Sequence, residues 1–184
     1  MVGDIKTIGV IGAGPMGAGI AQVSASAGYA VLLSDISLET AKAAIAKIGS
    51  ATETAVASEK MNADERDTIL ANIKPSGSIS DLAECDLVIE AASEVENVKT
   101  AIVAELCPIL KPEALLASNT SSISITRLAA STDRPEQFMG IHFMNPVPRM
   151  KLVELVRGIA TDETTFDAAK TYAKALGKTI TTSE

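Results

Sequence analysis

A single histidine, His142, stands in this 184-residue chain, inside the stretch GIHFMNPVPRMKLVELV. An imidazole is the side chain best suited to move protons near neutral pH. Any histidine-based proton chemistry therefore has one candidate. A carboxylate, Glu154, follows twelve residues later, beyond a turn-rich NPVPRM segment. The two are equidistant from Pro148. If the strands on either side of that proline pair antiparallel, His142 and Glu154 face each other with Cβ atoms about 5 Å apart. A carboxylate at that range orients an imidazole. The local pattern alone leaves open a second reading, a histidine that is simply packed and hydrogen-bonded in an apolar strand.

A second constellation lies near the start. Gly12, Ala13, Gly14, Pro15, Met16 and Gly17 spell GxGxxG, with a β-rich run before them and a run of small helix-forming residues after. In that context each glycine has a job. Gly12 permits the tight turn, Gly14 lets the backbone approach a pyrophosphate, and Gly17 lets the helix pack against the strand. The unpaired N–H groups of the helix N-terminus then face the phosphates. Asp35 follows at the end of the next strand, twenty-three residues after Gly12. A carboxylate there hydrogen-bonds the ribose hydroxyls of NAD and repels the 2′-phosphate of NADP, and no arginine lies next to it. The bland alternative is a packing turn followed by a helix-capping Asp. FAD shares the fingerprint, without further support in this chain.

The surrounding pattern says how such groups are positioned. Strands are expected at Lys6–Ile11, Ala30–Ser34, Ser78–Ser80, Asp86–Glu90, Leu115–Ser118, Phe138–Met144, Leu152–Val156 and Thr179–Thr182. Helices are expected at Pro15–Ala27, with Gly28 as its stop, and over Leu38–Ile73, broken near Asn62, where Asn62 to Glu65 resembles a capping box. Further helices are expected at Val95–Leu110 and Thr164–Leu176. Strands alternating with helices imply βαβ units, hence an α/β, Rossmann-type doubly wound and mainly parallel sheet with helices on both faces. Residues 1–184 are expected to form one such domain.

Composition is consistent with this. Hydrophobic residues make up 47% but aromatics only 3%, with no Trp, so Ala, Ile, Leu and Val build the core. A net charge of −7, with no basic stripe, argues against nucleic acid or an anionic membrane as partner. Cys85 and Cys107 lack metal-ligand spacing, so no metal is expected, and two cysteines are too few for a disulfide framework. A reducing, cytoplasmic compartment is the simplest expectation. The N-terminal MVGDIKTIGV has no signal-peptide anatomy, and no apolar run reaches transmembrane length.

With these pieces placed, the chain resembles the nucleotide-binding domain of the 3-hydroxyacyl-CoA dehydrogenases, and in particular their bacterial 3-hydroxybutyryl-CoA branch. Four stretches carry the likeness: IGVIGAGPMGAGIA from Ile8, DLVIEAASE from Asp86, LASNTSSISIT from Leu116 and GIHFMNPVPRMKLVELV from Gly140. The last two go well beyond a generic dinucleotide-binding pattern. The resemblance implies that His142 is the catalytic histidine and Glu154 the carboxylate that orients it. Ser121 matches a serine that binds the substrate oxygen near the nicotinamide, and Asn145 a residue at the nicotinamide end. Glu94, Lys99 and Asn119 match further cofactor-contacting positions. Taken singly, Asn119 and Ser121 also read as turn or cap residues, Lys99 as a solvated helix charge and Glu94 as a helix-start carboxylate.

The implied activity is NAD-dependent oxidation of a 3-hydroxyacyl-CoA, within fatty-acid and butanoate metabolism. Two departures stand out. Family members carry several lysines after the second strand, where the CoA phosphates lie. Here SATETAVASEKMNADER holds Lys60 and Arg66 among four carboxylates, which leaves weaker CoA binding, binding through Lys47 or Lys60 only, or a different acyl carrier; Lys60 is the expected substrate-binding cation. The family also continues past the point where this chain ends, into a helical domain of roughly one hundred residues that supplies another active-site asparagine and most of a homodimer interface. The alternatives are a dehydrogenase of a free hydroxy acid or sugar acid, and a cofactor-binding module without independent catalysis.

Overall fold

The computed structural model describes residues 5–184; residues 1–4, the start of the stretch expected to lack a signal peptide, lie outside the described residues. The chain runs β1 (Thr7–Ile11), α1 (Pro15–Ser26), β2 (Ala30–Ser34), α2 (Leu38–Ala57), α3 (Ala63–Asn72), β3 (Ile73–Ser76), β4 (Leu87–Glu90), α4 (Glu96–Leu106), β5 (Leu115–Ser118), α5 (Ile125–Ala129), β6 (Phe138–Phe143), β7 (Leu152–Arg157), α6 (Glu163–Ala175) and β8 (Thr179–Ser183). The strands form one sheet in the order β3-β2-β1-β4-β5-β6-β7-β8. Every neighbouring pair is parallel except β6–β7.

The central strands read as unbroken apolar runs because both of their faces are covered. Ile8, Val10 and Leu33 face a cluster with Ile20 of α1, Ile48 of α2, Ile69 of α3 and Tyr172 of α6. Ile11, Val88 and Leu116 face the opposite cluster with Val103 and Leu106 of α4 and Leu128 of α5. The chain doubles back from β1: β2 and β3 lie to one side and β4 to the other. That reversal opens a crevice at the carboxyl ends of β1 and β4, where open α/β sheets bind ligands.

Two expectations need correction. Ser78–Ser80 is not a strand. Residues Ile79–Leu82 form a single 3₁₀ turn, with the Ser78 hydroxyl accepting from Ser80 N–H. The strand at that edge is β3, in residues where the helix was expected to end and Pro75 argues against a ladder. Among the described residues β3 pairs with β2 alone, so Pro75 sits on an edge strand, where a missing N–H is tolerated. The helix expected to reach Leu110 ends at Leu106, just before Pro108, a residue a helix interior does not accommodate. The Asn62 capping box forms as expected: the side chain accepts from Glu65 N–H and Glu65 accepts from Asn62 N–H.

Candidate active site

The glycine turn comes first. Gly12 has φ of +99°, and a Cβ built there would lie 2.6 Å from the Ala91 carbonyl oxygen. A Cβ on Gly17 would lie 1.7 Å from the Gly12 carbonyl oxygen, so the helix lies directly on the turn. Gly14 differs from both. Its φ is −68° and a Cβ there would meet nothing within 4 Å. The protein itself gives no reason for glycine at 14, whereas a ligand approaching the backbone does. The loop therefore fits a dinucleotide pyrophosphate on this chain's own geometry.

Asp35 projects back onto this loop. Its carboxylate accepts from Ala13 N–H at 2.6 Å and from Ile36 N–H at 2.8 Å. Ala13 thus serves the loop through its backbone, while Gly12, Gly14, Pro15, Met16 and Asp35 line a cleft of about 850 Å³. Ile36, 97% exposed, stands at its wall. Among the described residues no Lys or Arg lines this cleft.

A smaller cleft of about 330 Å³ adjoins it, and Met16, Ala91 and Ala92 line both. Here the structure brings together Glu94, Lys99, Asn119, Ser121, His142 and Asn145. Pairing of β6 with β7 sets His142 opposite Glu154, about the Pro148 centre expected from the sequence. His142 Nδ1 lies 3.3 Å from Glu154 Oε2, and Ser183 Oγ lies 3.4 Å from the other carboxylate oxygen. Among the described residues the second imidazole nitrogen, Nε2, has no hydrogen-bond partner, and the ring keeps 19% of its surface exposed. An imidazole held at one nitrogen and open at the other is arranged to accept a proton. Asn119 ties the neighbouring loop to the same strand, its side-chain oxygen accepting from Phe143 N–H at 2.9 Å. Asn145 precedes Pro146 in a cis peptide at the start of the turn.

Glu94 gathers the segment after β5. One carboxylate oxygen accepts from the Thr120 hydroxyl, from Ser121 N–H at 2.9 Å and from Ser122 Oγ at 3.1 Å. Burial pushes this carboxyl up, but the Thr120 and Ser121 donors and the Lys99 ammonium outweigh it and hold its pKa at about 2. Lys99 is not a solvated helix charge: its side chain is 1% exposed and paired with Glu90.

Some residues fall outside the site or were missed. Lys60 lies exposed in the turn between α2 and α3 and lines neither cleft. Arg66 is paired with Glu53 and Asp67, which neutralises the other cation of that stretch. Sequence reasoning assigned no role to Glu90, Ser118 or Thr120. The signal for Glu90 was a carboxylate closing the apolar strand LVIE, a buried charge that demands a partner. Among the described residues no helix is long and apolar enough to cross a membrane.

Comparison with known proteins places these features in a lineage. Residues 7–183 match the family model described as "3-hydroxyacyl-CoA dehydrogenase, NAD binding domain". A 3-hydroxybutyryl-CoA dehydrogenase of Bradyrhizobium diazoefficiens is 54% identical over 184 residues, covering 100% of this chain and 63% of that protein. A 3-hydroxyadipyl-CoA dehydrogenase of Escherichia coli is 48% identical over 161 residues, 88% of this chain and 34% of that protein. The crystal structure of the (S)-3-hydroxybutyryl-CoA dehydrogenase of Ralstonia eutropha superposes with a TM-score of 0.95 at 44% identity, covering 97% of this chain and 63% of that one. The chain thus spans less than two thirds of the length of these relatives.

Proposed function

We propose, for a chain that belongs to the 3-hydroxyacyl-CoA dehydrogenase family through its NAD-binding domain, that it holds NAD and carries the proton-transfer pair for oxidation of an (S)-3-hydroxyacyl-CoA. The observation that carries this reading is that the His142–Glu154 pair opens into a cleft sharing walls with the glycine-loop cleft. Proton acceptor and cofactor cradle then serve one substrate carbon. The relatives' names favour a short acyl chain, such as 3-hydroxybutyryl.

Gly12, Gly14 and Gly17 would hold the pyrophosphate against the start of α1, and Asp35 the adenosine ribose. Ser121, Asn119, Asn145 and Glu94 would surround the reacting end. NAD, when bound, supplies the acceptor for the hydride leaving the substrate's C3. His142, its Nδ1–H donated to Glu154, takes the hydroxyl proton at Nε2, and loss of proton and hydride together leaves a 3-oxo group. Glu154 fixes the tautomer and stabilises the imidazolium that forms. Ser121 holds the reacting oxygen.

His142→Gln tests the reading. Turnover of 3-hydroxybutyryl-CoA, followed as NADH formation, should drop by about a hundredfold or more, with NADH binding retained. Near-normal turnover would sink it. One observation favours a second reading, a free hydroxy acid as substrate: Arg66 is paired with two carboxylates, so among the described residues Lys60 is the cation of that stretch without an ion-pair partner, where the family resemblance puts the CoA phosphates. Running the same assay with free 3-hydroxy acids separates the two.

A further inference from the structure

Among the described residues the most deeply buried ion pair joins Lys99 to Glu90, a carboxylate with no role in the reading above. Glu90 and Lys99 are each 1% exposed. Lys99 Nζ contacts Glu90 Oε1 at 3.0 Å, Glu90 Oε2 at 2.9 Å and Glu94 Oε2 at 3.3 Å. An ammonium has three N–H donors; Glu90 takes hydrogen bonds from Lys99 at both of its oxygens, and Glu94 Oε2 stands within ion-pair distance. Glu90 is equally committed. Its Oε1 also accepts from Ala92 N–H at 2.7 Å, and its Oε2 from the Ser118 hydroxyl at 2.7 Å. One carboxylate therefore ties together the end of β4, the loop after it, the end of β5 and, through Lys99, helix α4. Charged groups this dry are destabilising unless they are paired and hydrogen-bonded, and here both are.

We propose that Glu90 is a positioning residue for the reaction, and that Lys99 serves as its strut. The chain of contacts runs Glu90–Lys99–Glu94–Ser121. Lys99 fixes one oxygen of Glu94 from below. The other oxygen then presents a fixed acceptor to Ser121 N–H, Thr120 and Ser122. Ser121 is thereby set beside His142 in the smaller cleft. Glu90 also restrains Ala92, which lines both clefts. This inference rests on the dehydrogenase reading for what is positioned, but not for the positioning itself.

The test removes both charges together, as Glu90→Gln/Lys99→Met, so that neither is left buried and unpaired. With the thermal midpoint retained, the Ser121 amide resonance should move to the position it takes in Glu94→Gln, and NADH affinity should weaken about tenfold, the size expected for coupled members of one network. A folded double variant with an unmoved Ser121 amide, or with unchanged NADH affinity, overturns the proposal. Should the double variant not fold, amide exchange in the unaltered protein decides: Ala92 and Ser121 are both expected to be protected, and free exchange at either overturns it. The amide readouts need no cofactor. Failure of the unaltered chain to bind NADH would refute the dehydrogenase reading while leaving the strut to be judged by Ser121.

Discussion

Replacing Gly14 by alanine separates what the fold requires from what a ligand requires. At φ −68° and ψ −176° the position is open to any residue, and an added Cβ meets no protein atom within 4 Å. Two small terms act on the unliganded chain. Gly14 is the N-cap of α1, where alanine is poorer than glycine by several tenths of a kcal/mol to about 1 kcal/mol. Against that, alanine restricts the unfolded chain and stabilises by about 0.4–1 kcal/mol. The two nearly cancel, so the thermal midpoint should stay within about 4 °C of the wild type. The bound state is different. A methyl group forced into a filled contact costs about 1–3 kcal/mol, so NADH should bind roughly 5- to 150-fold more weakly. Scanning calorimetry of the unliganded protein and a fluorescence titration with NADH measure the two quantities. Unaltered NADH affinity would refute the close approach of a phosphate to this backbone. A large loss of stability would show that Gly14 is a folding residue after all. Gly17→Ala is the contrast: with a Cβ 1.7 Å from the Gly12 carbonyl, its cost should appear in the unliganded protein.

Glu154→Gln should slow turnover without affecting NADH affinity. At 3.3 Å the attraction between a carboxylate and an imidazolium lies between about 1 and 5 kcal/mol. Partial exposure of both groups places it near 2, about thirtyfold in kcat; an unchanged kcat would remove Glu154 from the mechanism. Glu94 yields a pH-dependent stability. Its folded pKa, about 2, lies below the ordinary value of 4.5, so its stabilisation is complete above about pH 4.5 and is lost as pH falls towards 2. Its side chain is 41% exposed, which reduces the effect to the order of 1 kcal/mol. Urea midpoints of wild type and Glu94→Gln, compared across that window, should converge on acidification, and parallel curves would contradict the assigned network.

Local signals carried much of this architecture. The strand–glycine–helix pattern needs only neighbouring residues, and it gives β1, the turn and α1. The pairing of His142 with Glu154 was legible because antiparallel register is arithmetic: a hairpin centred on Pro148 pairs residues whose numbers have a constant sum. Strand β3 was hidden because Pro75 is acceptable only at an edge, and edge status is a property of the whole sheet. The strut was hidden for a similar reason. Glu90 takes its meaning from Lys99 nine residues away and Ser118 twenty-eight away, which only the β4–β5 pairing and the docking of α4 bring together. Lys99 could be read as a surface charge because helical spacing does not reveal which face meets a buried carboxylate.

The one antiparallel step in the sheet has an engineering consequence. The cofactor cradle is scattered over the ends of β1, β2 and β4, three strands separated by helices, and no short segment could transplant it. The imidazole and its carboxylate instead occupy a single hairpin, β6–turn–β7, in fixed register. They form a cassette that can be exchanged as one contiguous piece. A two-residue slip keeps the side chains on the same face but sets Leu152 or Val156 opposite His142, whereas a one-residue slip turns the carboxylate away altogether. Grafts of this hairpin onto another parallel sheet should therefore succeed or fail as a unit, on register rather than on residue identity.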